Sequence, residues 1–126
     1  MGLVHATITL INPKRPELKP LDVKMLVDTG ANLMCITEHV RLQLGLDEGK
    51  LRDVTLADGS ERSVPYVGPI EVRFDNRVAF VGAMVMGDEP LFGAIPMEDM
   101  DLVVLPGPRK LVVNPDSPNF ARAYAK

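Results

Sequence analysis

The chain of 126 residues has a single cysteine, Cys35, which excludes an intrachain disulfide framework and fits a reducing, cytoplasmic setting. Basic charge is short too. The net charge is −3 and no Lys/Arg patch stands out, so nucleic acid, whose phosphates demand a basic face, is not an expected partner. Long apolar runs are missing: the longest, Val78 to Gly87, is about half the ~20 residues a membrane-spanning helix needs, so no membrane partner is expected. The first residues, Met1-Gly2-Leu3-Val4-His5, carry no charged segment, and Ala6 occupies the Ser/Thr position of a myristoylation pattern. Secretion and N-terminal lipidation are therefore unsupported. Glycines are scattered singly, which excludes a phosphate-cradling loop, and neither a repeat nor a linker divides the chain.

The residues that are present suit one soluble globular domain, with 46% apolar and 25% charged side chains. β-Branched residues from Leu3 to Ile11 predict a first strand ended by Asn12-Pro13, and a Pro-rich polar loop leads to a second strand over Leu21 to Val27. Leu33 to Thr37 predicts a third. Thr37 then caps a short helix, Glu38 to Leu44, which Gly45 stops. Leu51 to Leu56 and Ser60 to Val67 flank Asp58-Gly59, a strong hairpin signal, and Pro65 with Gly68-Pro69 kinks the return. Ile70 to Phe74 and Val78 to Met86 form a further hairpin about Asp75-Asn76. Leu91-Phe92-Gly93 precedes a helical turn opened by Pro96, and Leu102 to Leu105 with Leu111 to Val113 close the domain at residue 113. Residues 114–126, rich in Pro and small residues, are expected to be a disordered tail. The fold class is all-β, a small closed barrel or sandwich with one or two short helices.

Most chemistries fail on these residues. Cys35 and His39 lie four apart, but the spacing crosses a predicted strand-to-helix junction and no second pair exists, so neither a metal site nor any cofactor is expected. The acidic cluster Glu98-Asp99-Met100-Asp101 lacks the alternating ligands of a calcium loop. No nucleophile-elbow motif is present, and Cys35 has no basic neighbour to activate it. Met84, Met86, Met97 and Met100 are read as core filler.

Asp28 is different. It ends one apolar strand, Thr29-Gly30-Ala31-Asn32 follows, and a second apolar strand begins at once, which sets a carboxylate at a tight bend between core elements. An Asp-Thr-Gly triplet arises by composition alone in roughly a few per cent of chains this long, so its surroundings carry the argument. About sixty residues later comes Leu91-Phe92-Gly93 with its helical turn. In this order the sequence resembles the retropepsin-like aspartic proteases over residues 3 to 113. The motifs that carry the resemblance are Asp28-Thr29-Gly30-Ala31 and Leu91-Phe92-Gly93, with Asp58-Gly59-Ser60 where the family places its substrate-covering flap. The chain departs from retroviral members at Asn32, where they carry an acid, at the polar flap tip, and at Pro96.

The resemblance implies an acid-protease barrel with a flap hairpin and a catalytic loop of Asp28, Thr29 and Gly30. Ala31, Asn32, Ala57, Asp58, Gly59, Ser60 and Phe92 would contact an extended peptide or protein substrate. Amide hydrolysis without metal or covalent nucleophile needs one group to take a proton from water and another to give one to the carbonyl oxygen; two adjacent carboxylates do both. The chain supplies one, because Asp58 lacks the Thr-Gly that would cradle it. A two-fold homodimer that brings Asp28 of each copy to the axis completes the pair. In such a dimer the last strand, Lys110 to Val113, could interleave with its partner. A reading from another class is a catalytically silent dimerisation or peptide-binding module on the same fold, motivated by Asn32 and the polar flap.

Overall fold

The computed structural model describes residues 3–125; Met1, Gly2 and Lys126, which enter the readings of the first residues and the tail, lie outside the described residues. Alternation of side chains sets the first hairpin. In β1 (His5–Ile11) and β2 (Leu21–Val27), Ile8, Leu10, Val23 and Met25 point inward while Thr7, Asp22 and Lys24 face out. The two pair antiparallel, from His5↔Leu26 to Leu10↔Leu21. Asn12 anchors the loop between them: its Nδ2 donates to Leu44 O at 2.9 Å and its Oδ1 accepts from Lys14 N at 3.0 Å.

β3 (Met34–Ile36) is fully buried and leads to α1 (Glu38–Gln43), whose Thr37 cap accepts from Val40 N at 3.2 Å. β4 (Lys50–Thr55) and β5 (Glu61–Phe74) form the Asp58-Gly59 hairpin. The two strands expected at Ser60 to Val67 and Ile70 to Phe74 are one strand of 14 residues with a register shift between Val67 and Ile70. Pro69 lies in that shift, where its missing N–H costs no ladder bond, so the strand bends without ending. β6 (Arg77–Val85), β7 (Leu91–Phe92) and α2 (Ala94–Asp99) follow, then β8 (Leu102–Leu105) and β9 (Lys110–Val113), which pair with each other in a separate two-stranded sheet.

The main sheet runs β1-β2-β7-β3-β6-β5-β4, and an added β1–β5 pairing, Thr9↔Arg73 to Ile11↔Glu71, closes six of its strands into a ring. The chain is 46% strand and 10% helix, all-β as the periodicity implied. Ile8, Leu10, Met25, Met34, Ile36, Ile70, Val72, Phe92 and Met100 fill the interior. β4 extends the sheet beyond the ring as a free edge. Among the described residues no helix is long and apolar enough to cross a membrane.

Residues 114 to 122 of the expected tail are hydrogen-bonded to the domain. Arg77 is 1% exposed and its guanidinium needs acceptors: Nε donates to Met100 O at 2.9 Å and Nη2 to Ser117 O at 2.5 Å. Asp101 accepts from Asn114 Nδ2 at 3.0 Å, from Arg122 N at 2.9 Å and from the Ser117 hydroxyl, and Asn76 Nδ2 donates to Pro118 O at 2.8 Å. Composition alone hid this, because polar groups and not apolar burial hold residues 114 to 122. Phe120 and Tyr124 stay exposed.

Candidate active site

The loop that begins at Asp28 is held by its backbone. β2 and β7 run parallel with Val27 beside Phe92, and Asp28 N donates to Phe92 O at 3.0 Å. Asp28 O accepts from Ala31 N at 3.1 Å, and the carbonyls of Ala31 and Asn32 accept from Ala94 N and Ile95 N at 2.8 Å each. The first N–H groups of α2, which a helix leaves unpaired, thereby fasten the loop. Gly93 permits this approach: a Cβ there would stand 2.4 Å from Leu33 O and 2.7 Å from Ala31 O.

Phe92 is fully buried in the core. The expectation that it touches substrate is therefore corrected; the ring supports the loop from beneath. The Asp28 side chain is half-buried, and Oδ1 accepts from Gly30 N at 2.9 Å, its one hydrogen bond among the described residues. Gly30 and Thr29 are exposed beside it.

A cleft of about 710 Å³ opens on one side of Asp28. Ala31, Asn32 and Ile95 form one wall, Leu33, Cys35, Met84, Met86 and Leu91 the floor, and residues 52–57 of the β4 hairpin the other wall. Ala57 thus reaches the cleft, whereas Asp58, Gly59 and Ser60 do not line it. The hairpin tip closes on itself: Asp58 Oδ1 accepts from the Ser60 hydroxyl at 2.6 Å and from Ser60 N at 2.9 Å. Those bonds hold the Asp58 carboxyl below the usual range.

Met84 and Met86 correct the reading of all four methionines as core filler. On β6 the inward residues are Ala83 and Val85, so period-two alternation turns Met84 away from the core and into the cleft. The same alternation on β3 sends Met34 and Ile36 inward and brings Cys35 to the floor. Burial pushes the Cys35 thiol up and the Asp28 charge adds to it, which disfavours the thiolate. His39 lies on the exposed side of α1. Sequence reasoning missed Leu33, Arg52, Met84, Met86 and Ile95 as lining residues; only strand alternation, applied to both faces of each strand, signals the methionines.

A ring of strands that presents Asp28-Thr29-Gly30 on a brace of Leu91-Phe92-Gly93 defines a retropepsin-like aspartic protease. Comparison with known proteins agrees. The sequence profile described as aspartyl protease matches residues 17–114, and the chain belongs to that family. Among solved structures, the EIAV protease complexed with the inhibitor HBY-793 aligns with a TM-score of 0.62 at 13% identity, over 82% of this chain and 93% of that one. At that identity the likeness is one of fold. No curated protein sequence matches the chain.

Proposed function

We propose that the chain works as a homodimeric aspartic endopeptidase whose two Asp28 carboxylates activate one water between them. The observation that carries this reading is the position of Asp28 between two hollows. Beyond the cleft, a second hollow of about 510 Å³ is lined by Leu3, Val4, Leu26, Val27, Val104 and Pro106 and shares Asp28 with the first. Such an apolar concavity beside an exposed Thr29 suits a second copy of the same surface, as an isologous two-fold interface requires.

In the dimer, two carboxylates within about 3 Å of each other hold one proton, since both cannot ionise side by side. The ionised one takes a proton from water as the oxygen attacks the carbonyl carbon; the protonated one gives its proton to the carbonyl oxygen. In the collapse of the resulting diol the ionised carboxylate takes a proton from a diol hydroxyl while the other gives its proton to the amine nitrogen, so the C–N bond breaks and the pair again holds one proton. Thr29 braces the loop across the axis, and Gly30 lets the backbone approach the carboxylates. An extended peptide pairs with the free edge of β4, its side chains meeting Met84, Met86 and Ile95, while Asn32 and the hairpin from Ala57 to Ser60 close over it.

Specific activity on a diverse peptide library, measured across pH 3 to 8 alongside mass in solution over a concentration series, tests the proposal. Expected are an acidic to near-neutral optimum and an activity per chain that falls as the dimer dissociates. A strict monomer, or no cleavage at any pH, overturns it. A dimer that binds peptides without cleaving them would mark the silent module.

A further inference from the structure

We propose that the cleft-facing side of the β4–β5 hairpin, centred on Arg52, is a subsite for a carboxylate, so that the cleft takes extended peptides combining apolar side chains with one Asp or Glu. The inference rests on the reading of the cleft as a peptide site and narrows it to a substrate class.

Directly paired residues of an antiparallel hairpin share a face. The pairs Lys50↔Tyr66, Arg52↔Val64 and Val54↔Arg62 alternate with Asp53↔Ser63 and Thr55↔Glu61. The hairpin therefore sorts its charges: three cations on one face, two acids on the other. Asp53 also lines the cleft, but its Oδ1 accepts from Ser63 Oγ at 2.5 Å, which engages that carboxylate within the hairpin. From the basic face Arg52 and Val54 line the cleft, and Tyr66 on the same face pairs with the lining residue Met84.

Arg52 is held in place there. Its guanidinium carbon lies 3.8 Å from the centroid of the Tyr66 ring. The ring in turn sits on Gly82, where a Cβ would come within 2.2 Å of the tyrosine hydroxyl. Stacking occupies the flat face of the guanidinium and leaves its N–H edge for a ligand. The guanidinium hydrogen bonds among the described residues belong to Arg15, Arg41, Arg73, Arg77 and Arg122, and the ion pairs omit Arg52. It is also the one cation lining the cleft among the described residues. With a net charge of −3 the protein as a whole does not attract acidic peptides, so recognition is local to this face.

The test uses peptides with an apolar centre and Glu or Gln at each flanking position in turn. They are read twice: as kcat/KM with the wild-type protein and as equilibrium binding to Asp28→Asn. At one position Glu should exceed Gln by about five-fold at low salt, as befits an exposed ion pair, with the ratio falling toward one at high ionic strength. Arg52→Gln should erase the ratio, and Arg52→Glu should invert it so that Gln exceeds Glu. A ratio of one at every position, or one that Arg52→Gln leaves intact, overturns the inference. Peptides bound with the Glu preference but never cleaved by wild type sustain it and remove the protease reading. Cleavage without preference does the opposite. A protein that neither binds nor cleaves any peptide overturns both.

Discussion

Asp28 and Asp101 both follow directly on core elements, yet their surroundings are opposite. Asp101 is saturated: hydrogen bonds from Ser117, Asn114 and Arg122 N, with Arg77 Nη2 at 3.7 Å, hold its carboxyl at about 2. Asp28 has its backbone fastened at Phe92 and Ala31 while the carboxylate accepts one bond, from Gly30 N. A carboxylate whose acceptor sites are filled is committed to structure. One whose loop is fastened and whose carboxylate accepts a single bond is preorganised for something outside the chain.

The largest effect that can break this contrast is on activity. Asp28→Asn keeps an oxygen for Gly30 N, so its thermal midpoint should stay near wild type while kcat/KM on a cleaved peptide falls about 10²–10⁴-fold. Undiminished cleavage would end the contrast. The reverse pattern belongs to the clasp. Arg77→Met leaves the carbonyls of Met100 and Ser117 without their buried donor, and urea unfolding should register a loss of about 2–4 kcal/mol.

Asp101→Asn sharpens the comparison through pH. The folded pKa lies below the unfolded value of about 3.9, so the stabilisation is fully present above that value and fades as pH falls through about 2. The wild-type advantage in thermal midpoint should therefore be largest at pH 5 to 7 and vanish toward pH 2. Asp58→Asn should have the smallest effect on stability, because the turn is exposed, and its loss of cleavage should fall well short of that of Asp28→Asn. Equal losses would make Asp58 the second carboxylate and remove the need for a second copy.

Much of the barrel was readable because its rules are local. The boundaries of β2 match the predicted Leu21 to Val27, the Thr37 cap forms, and Asp58-Gly59 turns as its residue types dictate. The errors share one cause: each depended on residues distant in sequence. The break expected after Val67 is bridged by pairing to β6 on both sides of a register shift, residues 117 and 122 are tied to Arg77 and Asp101, and Phe92 is closed in by the core. Met84 and Arg52 became cleft residues only when their strands acquired a second face against other elements.

What the sequence determined by itself was the set of parts: alternating strands, turn residues at fixed offsets, a single Asp-Thr-Gly and an apolar-apolar-glycine segment downstream of it. Those signals act within a few residues, through backbone sterics and side-chain alternation, and survive without knowledge of what packs against them. The tertiary structure alone decided which carboxylate would be filled and which left open. Assembly of the sheet carries Phe92 O, Ala94 N and Ile95 N to the Asp28 loop, packing of the C-terminal segment carries Ser117 and Arg122 to Asp101, and hydrogen bonds over such separations exist only once the chain has folded.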